Sequence, residues 1–159
     1  MSLVPAMRVL ENQIPPPVVA ALFGFVMWLL ADAVADFSER GIAGIILVAA
    51  LVLCGSVFCI AGLIAFRRAR TTVNPLKPGS ASSMVSSGIY RLSRNPMYVG
   101  FALFLTAWGV WLASLWSIPV VLGFMGYITR FQIVPEERAM RALFGAEFAE
   151  YSRRVRRWL

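Results

Sequence analysis

Residues 41–66, GIAGIILVAALVLCGSVFCIAGLIAF, run for 26 positions without a charged side chain. About 20 apolar residues, at ~1.5 Å of rise each, are enough to cross a hydrocarbon core of about 30 Å, so the stretch predicts a transmembrane helix. Downstream, residues 96–129 form a second charge-free stretch of 34 positions. It is too long for one upright helix and suits two short ones joined by a tight turn near Ser114. Trp108, Trp111 and Trp116 fall toward that turn, where aromatic side chains favour the membrane–water interface. Upstream, residues 18–31 make a shorter apolar run, opened by Pro15, Pro16 and Pro17 and closed by Asp32 and Asp36. Arg8 before that run and Ala33-Val34-Ala35 after it also fit a cleaved signal sequence. The aspartates and the long span that follows so soon favour an uncleaved first helix of a hairpin.

The composition points the same way. Of 159 residues, 59% are hydrophobic and 14% charged, with a mean hydropathy of +0.73. Soluble domains carry about 25% charge, so an ordinary water-facing surface is excluded. A net charge of +7 could suggest nucleic acid, but the apolar excess assigns the basic residues to lipid, and no nucleic-acid partner is expected. Cys54 and Cys59 lie inside the apolar run without metal-ligand neighbours, and the chain has no His, so no metal site is expected.

Orientation follows from the arginines. Arg8, the basic residues between the second and third spans, and those after the fourth put fourteen positive and five negative charges on one side of the membrane. The short loop between the first two spans carries Asp32, Asp36 and Glu39 against Arg40 alone. The positive-inside rule then places both termini in the cytoplasm, with a bacterial inner membrane as the expected location. The expected fold is an all-α integral membrane protein with about four transmembrane helices plus a C-terminal amphipathic interfacial helix. Residues 1–70 would form an N-terminal transmembrane hairpin. Residues 71–159 would form a catalytic region of cytoplasmic loop, short transmembrane hairpin and interfacial helix.

The polar sequence concentrates at three places on the basic side. Residues 71–79, TTVNPLKPG, and the Ser-rich run after them form an extended, turn-rich connection. Residues 88–100, GIYRLSRNPMYVG, bring unusual hydrogen-bonding capacity to the start of the third span, where free backbone N–H groups favour an anion. After the fourth span come Pro135-Glu136-Glu137, then Met140, Phe144, Phe148, Tyr151, Val155 and Trp158 at helical spacing, among many arginines. That pattern reads as an amphipathic helix at the interface. The two glutamates complement a helix N-terminus and stay able to hold a cation, although adjacent residues point about 100° apart, so one of them faces any given site.

These residues resemble the isoprenylcysteine carboxyl methyltransferase and phospholipid methyltransferase superfamily. Gly88-Ile89-Tyr90-Arg91, Arg94-Asn95-Pro96-Met97-Tyr98-Val99-Gly100, Glu136-Glu137, and Phe144-Gly145-Ala146-Glu147-Phe148 with Tyr151, Val155, Arg157 and Trp158 carry the likeness. It covers roughly residues 71–159, and the first two helices contribute only hydropathy. Asn95 stands where isoprenylcysteine-specific members usually have His, and Phe148 where the family often has Tyr.

The resemblance implies an S-adenosylmethionine-dependent membrane methyltransferase without a Rossmann domain, and the sequence has no G-x-G-x-x-G motif. It further implies that Tyr90, Arg94, Asn95, Pro96, Tyr98, Gly100, Glu136 and Glu137 bind the cofactor. Arg130, at the cytoplasmic end of the fourth span, is expected to orient an anionic group of the acceptor, and Arg130 and Glu137 are the candidate catalytic residues. The expected partners are the lipid bilayer and a hydrophobic small-molecule or prenylated acceptor. Methyl transfer from a sulfonium demands alignment more than a strong base, and positioning can supply about 7–11 kcal/mol, so the lack of His is no obstacle. Two other readings fit the sequence. One is an NADPH-dependent membrane reductase of the sterol type, and the other is a non-enzymatic scaffold whose arginines bind anionic lipid.

Overall fold

The computed structural model describes residues 11–33, 41–69 and 84–159. Arg8 and the polar connection at 71–83 lie outside them. Among the described residues every regular element is helical: α1 (Pro16–Ala33), α2 (Ile42–Arg68), a 3-10 turn (Gly88–Arg91), α3 (Pro96–Leu112), α4 (Ser117–Ile128), a π segment (Thr129–Ile133) and α5 (Val134–Arg154). Pro16 and Pro96 each open a helix at a position whose N–H would have no partner in any case.

α1, α3, α4 and the π segment share a core of Val19, Met27, Tyr98, Leu105, Phe124, Ile128 and Ile133. α2 lies against α3 along a seam of small residues. A Cβ on Gly100 would stand 2.4 Å from the Cys59 sulfur and 2.8 Å from the Gly55 carbonyl. One on Gly62 would meet Met97 Cγ at 2.9 Å. Glycine at these positions is what lets the two backbones approach, as packing between helices in lipid requires. α1 is tied to α3 where the Trp108 indole N–H donates to the Gly24 carbonyl at 3.0 Å. The outward faces of α1 and α2 are apolar, with Leu22, Phe25, Ile46, Leu53 and Ile60 all more than half exposed. Such a surface is at home against lipid tails rather than water.

Among the described residues two helices are long and apolar enough to cross a membrane, Ile42–Arg68 and the run Ser117–Arg154, which bends at Gly145. Residues 16–31 of α1, and α3, are apolar but shorter. Four full-length spans are therefore not what the structure shows. At about 1.5 Å per residue, the 17 residues of α3 reach about 26 Å, slightly less than the hydrocarbon core. The α3–α4 turn falls at 113–116 and is closed by Ala113 in the left-handed conformation (φ 52°), its N–H bonded back to Gly109 and Val110.

The C-terminal helix also differs from the expectation of a separate element. α4 passes through the π segment into α5 without interruption, and the charge-free part of this rod ends at Thr129. Pro135 sits inside the rod rather than at a fresh start. Proline has no N–H to give the preceding turn, and the Phe131 carbonyl four residues back accepts from the Asn12 main-chain N–H at 3.0 Å. The true break comes later, at Gly145, whose φ of 46° and ψ of −116° suit glycine and redirect the chain. Beyond it, Phe148 and Tyr151 are buried.

Candidate functional site

Three stretches distant in sequence converge where α3 begins. The 3-10 turn and residues 92–95 lead into α3, the first turns of α5 supply Glu136 and Glu137, and the extended tail after Val155 folds back between them. Main-chain atoms do much of the joining. The Arg94 N–H donates to the Arg156 carbonyl at 2.9 Å. The Asn95 amide and the Ser93 hydroxyl both donate to the Arg157 carbonyl, at 2.9 and 3.1 Å. The Tyr151 hydroxyl donates to the Tyr90 carbonyl at 2.7 Å. Burial, first of all, pushes both of these phenols well above their ordinary pKa and keeps them protonated.

Glu136 and Glu137 have opposite surroundings. The Arg157 guanidinium donates to both oxygens of Glu137, at 2.9 and 2.8 Å, and Arg94 approaches from the other side at 2.9 Å. Burial works against the Glu137 carboxylate, but the Arg157 hydrogen bonds and the charges of Arg94, Arg157 and Arg141 outweigh it and hold its pKa below the usual range. Glu137 is thereby occupied within the protein. Glu136 accepts one hydrogen bond, from the Tyr98 hydroxyl at 2.5 Å, and among the described residues no cation pairs with it. Burial, helped by the nearby Glu137 charge and opposed by the Tyr98 hydrogen bond, pushes its pKa up to about 7. The Arg94 Nε–H is buried with no acceptor among the described residues, while its guanidinium carbon lies 6.0 Å from the Phe148 ring centre.

Tyr90, Arg94, Asn95, Pro96, Tyr98, Glu136 and Glu137 are thus brought to one end of the helix bundle, linked by the contacts above. Gly100 lies in the α2–α3 seam against Cys59, one turn deeper than Pro96. Arg130 is in a different cluster, donating to Glu11 Oε1 at 2.8 Å with its guanidinium over the Phe131 ring. Arg138 donates to the other oxygen of the same carboxylate. Ser93, Glu11, and Arg157 as a partner of Glu137 were not singled out from the sequence. Arg157 carried a signal, since it stands beside Trp158 in the stretch that bears the resemblance. Ser93 lies within the hydrogen-bonding stretch at 88–100, and Glu11 carried no signal.

A helical bundle with apolar outer faces carries, at one helix end, a part-buried carboxyl that pairs with no cation among the described residues and a second carboxylate saturated by arginines, a small polar site on a scaffold that suits a membrane. Its family follows from comparison. The chain matches the phospholipid methyltransferase family model over residues 43–147, more than half its length, and it belongs to that family. The match takes in nearly all of α2 and the polar motifs as far as Glu147, and leaves out Phe148 and the tail that bears Arg157 and Trp158. A protein of Haemophilus influenzae described as uncharacterized is 40% identical over 63 residues, which is 40% of this chain and the whole of that protein. No solved structure matches.

Proposed function

We propose that the protein is an integral membrane methyltransferase that uses S-adenosylmethionine on a lipid-like or prenylated acceptor at the cytoplasmic interface. In this reading α1 to α4 all reside in the bilayer, and the arginine-rich side faces the cytoplasm. The observation that carries it is the contrast between the two glutamates: Glu137 is saturated by two arginines, whereas the part-buried Glu136 has a neutral hydroxyl as its single partner among the described residues.

The donor set suits the amino-acid end of the cofactor. Glu136 would hold its ammonium, and the orphaned Arg94 Nε–H would take a carboxylate oxygen. When bound, the cofactor supplies a methyl group on a cationic sulfur, a leaving group that needs no acid. Glu137, clamped by Arg94 and Arg157, orients Arg94 and fixes the tail across the start of α3. Tyr98 keeps the Glu136 carboxyl aimed. Arg130 would orient an anionic group of the acceptor. An open apolar groove of about 420 Å³ between α1 and α3, lined in part by Phe25, Trp28, Phe101 and Trp108, suits an acyl or prenyl chain and favours a lipid-like acceptor.

Titration calorimetry of the detergent-solubilised protein tests the carboxylate. Glu136→Gln is expected to weaken S-adenosylmethionine binding about tenfold or more, the scale of one charge-assisted hydrogen bond. Unchanged binding in both Glu136→Gln and Glu137→Gln would refute the assignment. Radiolabelled cofactor with fractionated membrane extract then identifies the acceptor class by which fraction takes up label.

A further inference from the structure

The second arginine cluster has features that a surface ion pair does not need. Residues 11–14 form a strap laid across the π segment. The Asn12 N–H donates to the Phe131 carbonyl at 3.0 Å, and the Gln132 side-chain amide donates to the Ile14 carbonyl at 2.7 Å. The strap includes Glu11, whose two oxygens are each taken by a different arginine, Arg130 and Arg138. Glu11 is largely covered, with 12% of its side chain exposed, while Arg130 and Arg138 keep 38% and 48%. Beside it, Gln132 Oε1 and Asn12 Oδ1 are buried with no hydrogen-bond donor among the described residues. Unsatisfied buried acceptors are costly and commonly mark a place completed by something else.

We infer that Arg130 and Arg138 form an oxyanion site for the phosphodiester of a phospholipid headgroup, and that Glu11 is its built-in occupant, displaced when the lipid arrives. Two cations that grip the separate oxygens of one carboxylate present the same fork to two oxygens of a phosphate. The exchange is feasible because part-exposed ion pairs are individually weak, while the strap remains anchored by its Asn12 and Ile14 main-chain bonds. The site lies just past Thr129, where the charge-free part of the rod ends, at the depth of lipid headgroups. The orphaned carbonyl oxygens of Gln132 and Asn12 offer acceptors for a hydroxyl or ammonium on the same headgroup. This inference rests on the reading of the protein as a methyltransferase with an interfacial acceptor, for which it names the headgroup contact.

Native mass spectrometry of the full chain in detergent, titrated with dihexanoyl phosphatidylglycerol, tests it without cofactor. Glu11→Gln is expected to raise retention about fivefold. Adding Arg130→Gln and Arg138→Gln to that variant should return it to the wild-type level or below. Glu150→Gln removes a carboxylate that also pairs with two arginines, Arg153 and Arg154, on the exposed face of α5, and should leave retention unchanged. Arg138→Gln in the native background reads the same site with Glu11 intact and should lower retention. No gain in Glu11→Gln, a gain that survives loss of both arginines, an equal gain in Glu150→Gln, or full retention in Arg138→Gln would each overturn the inference. Equal gain with the oxyanion-free dihexanoylglycerol would do the same, and inorganic phosphate competing at the lipid's own concentration would replace the lipid with a free anion. Failure here leaves the calorimetric result for Glu136 standing, and failure of cofactor binding leaves lipid retention to be read by itself.

Discussion

Among the described residues three glutamates are each gripped by two arginines, and two of them, Glu137 and Glu11, are held in contrasting settings. At the start of α3, Glu137 is held by Arg94 and Arg157, and both Arg94 and Glu137 are nearly covered, at 12% and 10% side-chain exposure. At the π segment, Glu11 is held by Arg130 and Arg138, which remain substantially in solvent. Charge and stoichiometry match, the two glutamates are about equally covered, and Arg157 is as open to solvent as Arg130 and Arg138, so the burial of Arg94 is what separates the clusters. A covered charge stripped of its partner has nowhere to turn, whereas an exposed one is rehydrated. The first cluster is suited to hold the tail in place, and the second to exchange its occupant.

The comparison is broken most directly by removing each glutamate. Glu137→Ala strands Arg94 in a covered site and is expected to cost about 3 kcal/mol, read as a large drop in melting midpoint in detergent. Glu11→Ala should cost about 1 kcal/mol or less. Equal losses would show that the two clusters do the same job.

Glu136 sharpens the contrast through pH. Its pKa is raised to about 7 from an ordinary value of 4.5, so between those values the folded protein retains a proton that the unfolded chain has released. Unfolding free energy should therefore fall as pH rises from about 4.5 to 7 and level off above. Glu137, with a lowered pKa, acts in the opposite sense, and its contribution disappears as pH drops below about 4.5. Glu136→Gln should flatten the upper slope and leave the lower one. Cation binding at Glu136 should strengthen as pH rises through 7, with proton release detectable by calorimetry in buffers of different ionisation enthalpy.

Two smaller effects probe how the backbone delivers these clusters. Gly145→Ala places a side chain at φ 46° and is expected to cost about 1 kcal/mol. It should also loosen the packing of Phe148 near Arg94, seen as faster hydrogen exchange after residue 145. Ala113→Gly relieves the left-handed turn between α3 and α4 and should gain up to about 1 kcal/mol, without effect on either cluster.

How much of this could be read beforehand depended on distance along the chain. α2 was legible because an uncharged run is a local signal, and the turn after Leu112 was legible because a stretch of that length has to fold over. The meeting of Tyr98 with Glu136 came only from resemblance, since no periodicity links residues 38 positions apart. Glu11 with Arg138 spans 127 positions and left no local trace at all. The continuity of the rod through Pro135 was not legible, for a physical reason. Proline ordinarily opens a helix, but here a π segment and a donated N–H from Asn12 let the rod continue through it. Gly145 sat unnoticed within an amphipathic pattern that continues across the bend, because spacing reports which face is apolar and not whether the axis is straight.

The tail touches the start of α3 directly through the carbonyl oxygens of Arg156 and Arg157, while the Arg157 side chain reaches Glu137 on α5. That address is written in chain path and not in residue type. The side chain at 156 is free to drift among homologues with the closure intact, while loss of a single residue between 155 and 157 would present amide hydrogens where oxygens are needed and leave the latch unable to shut.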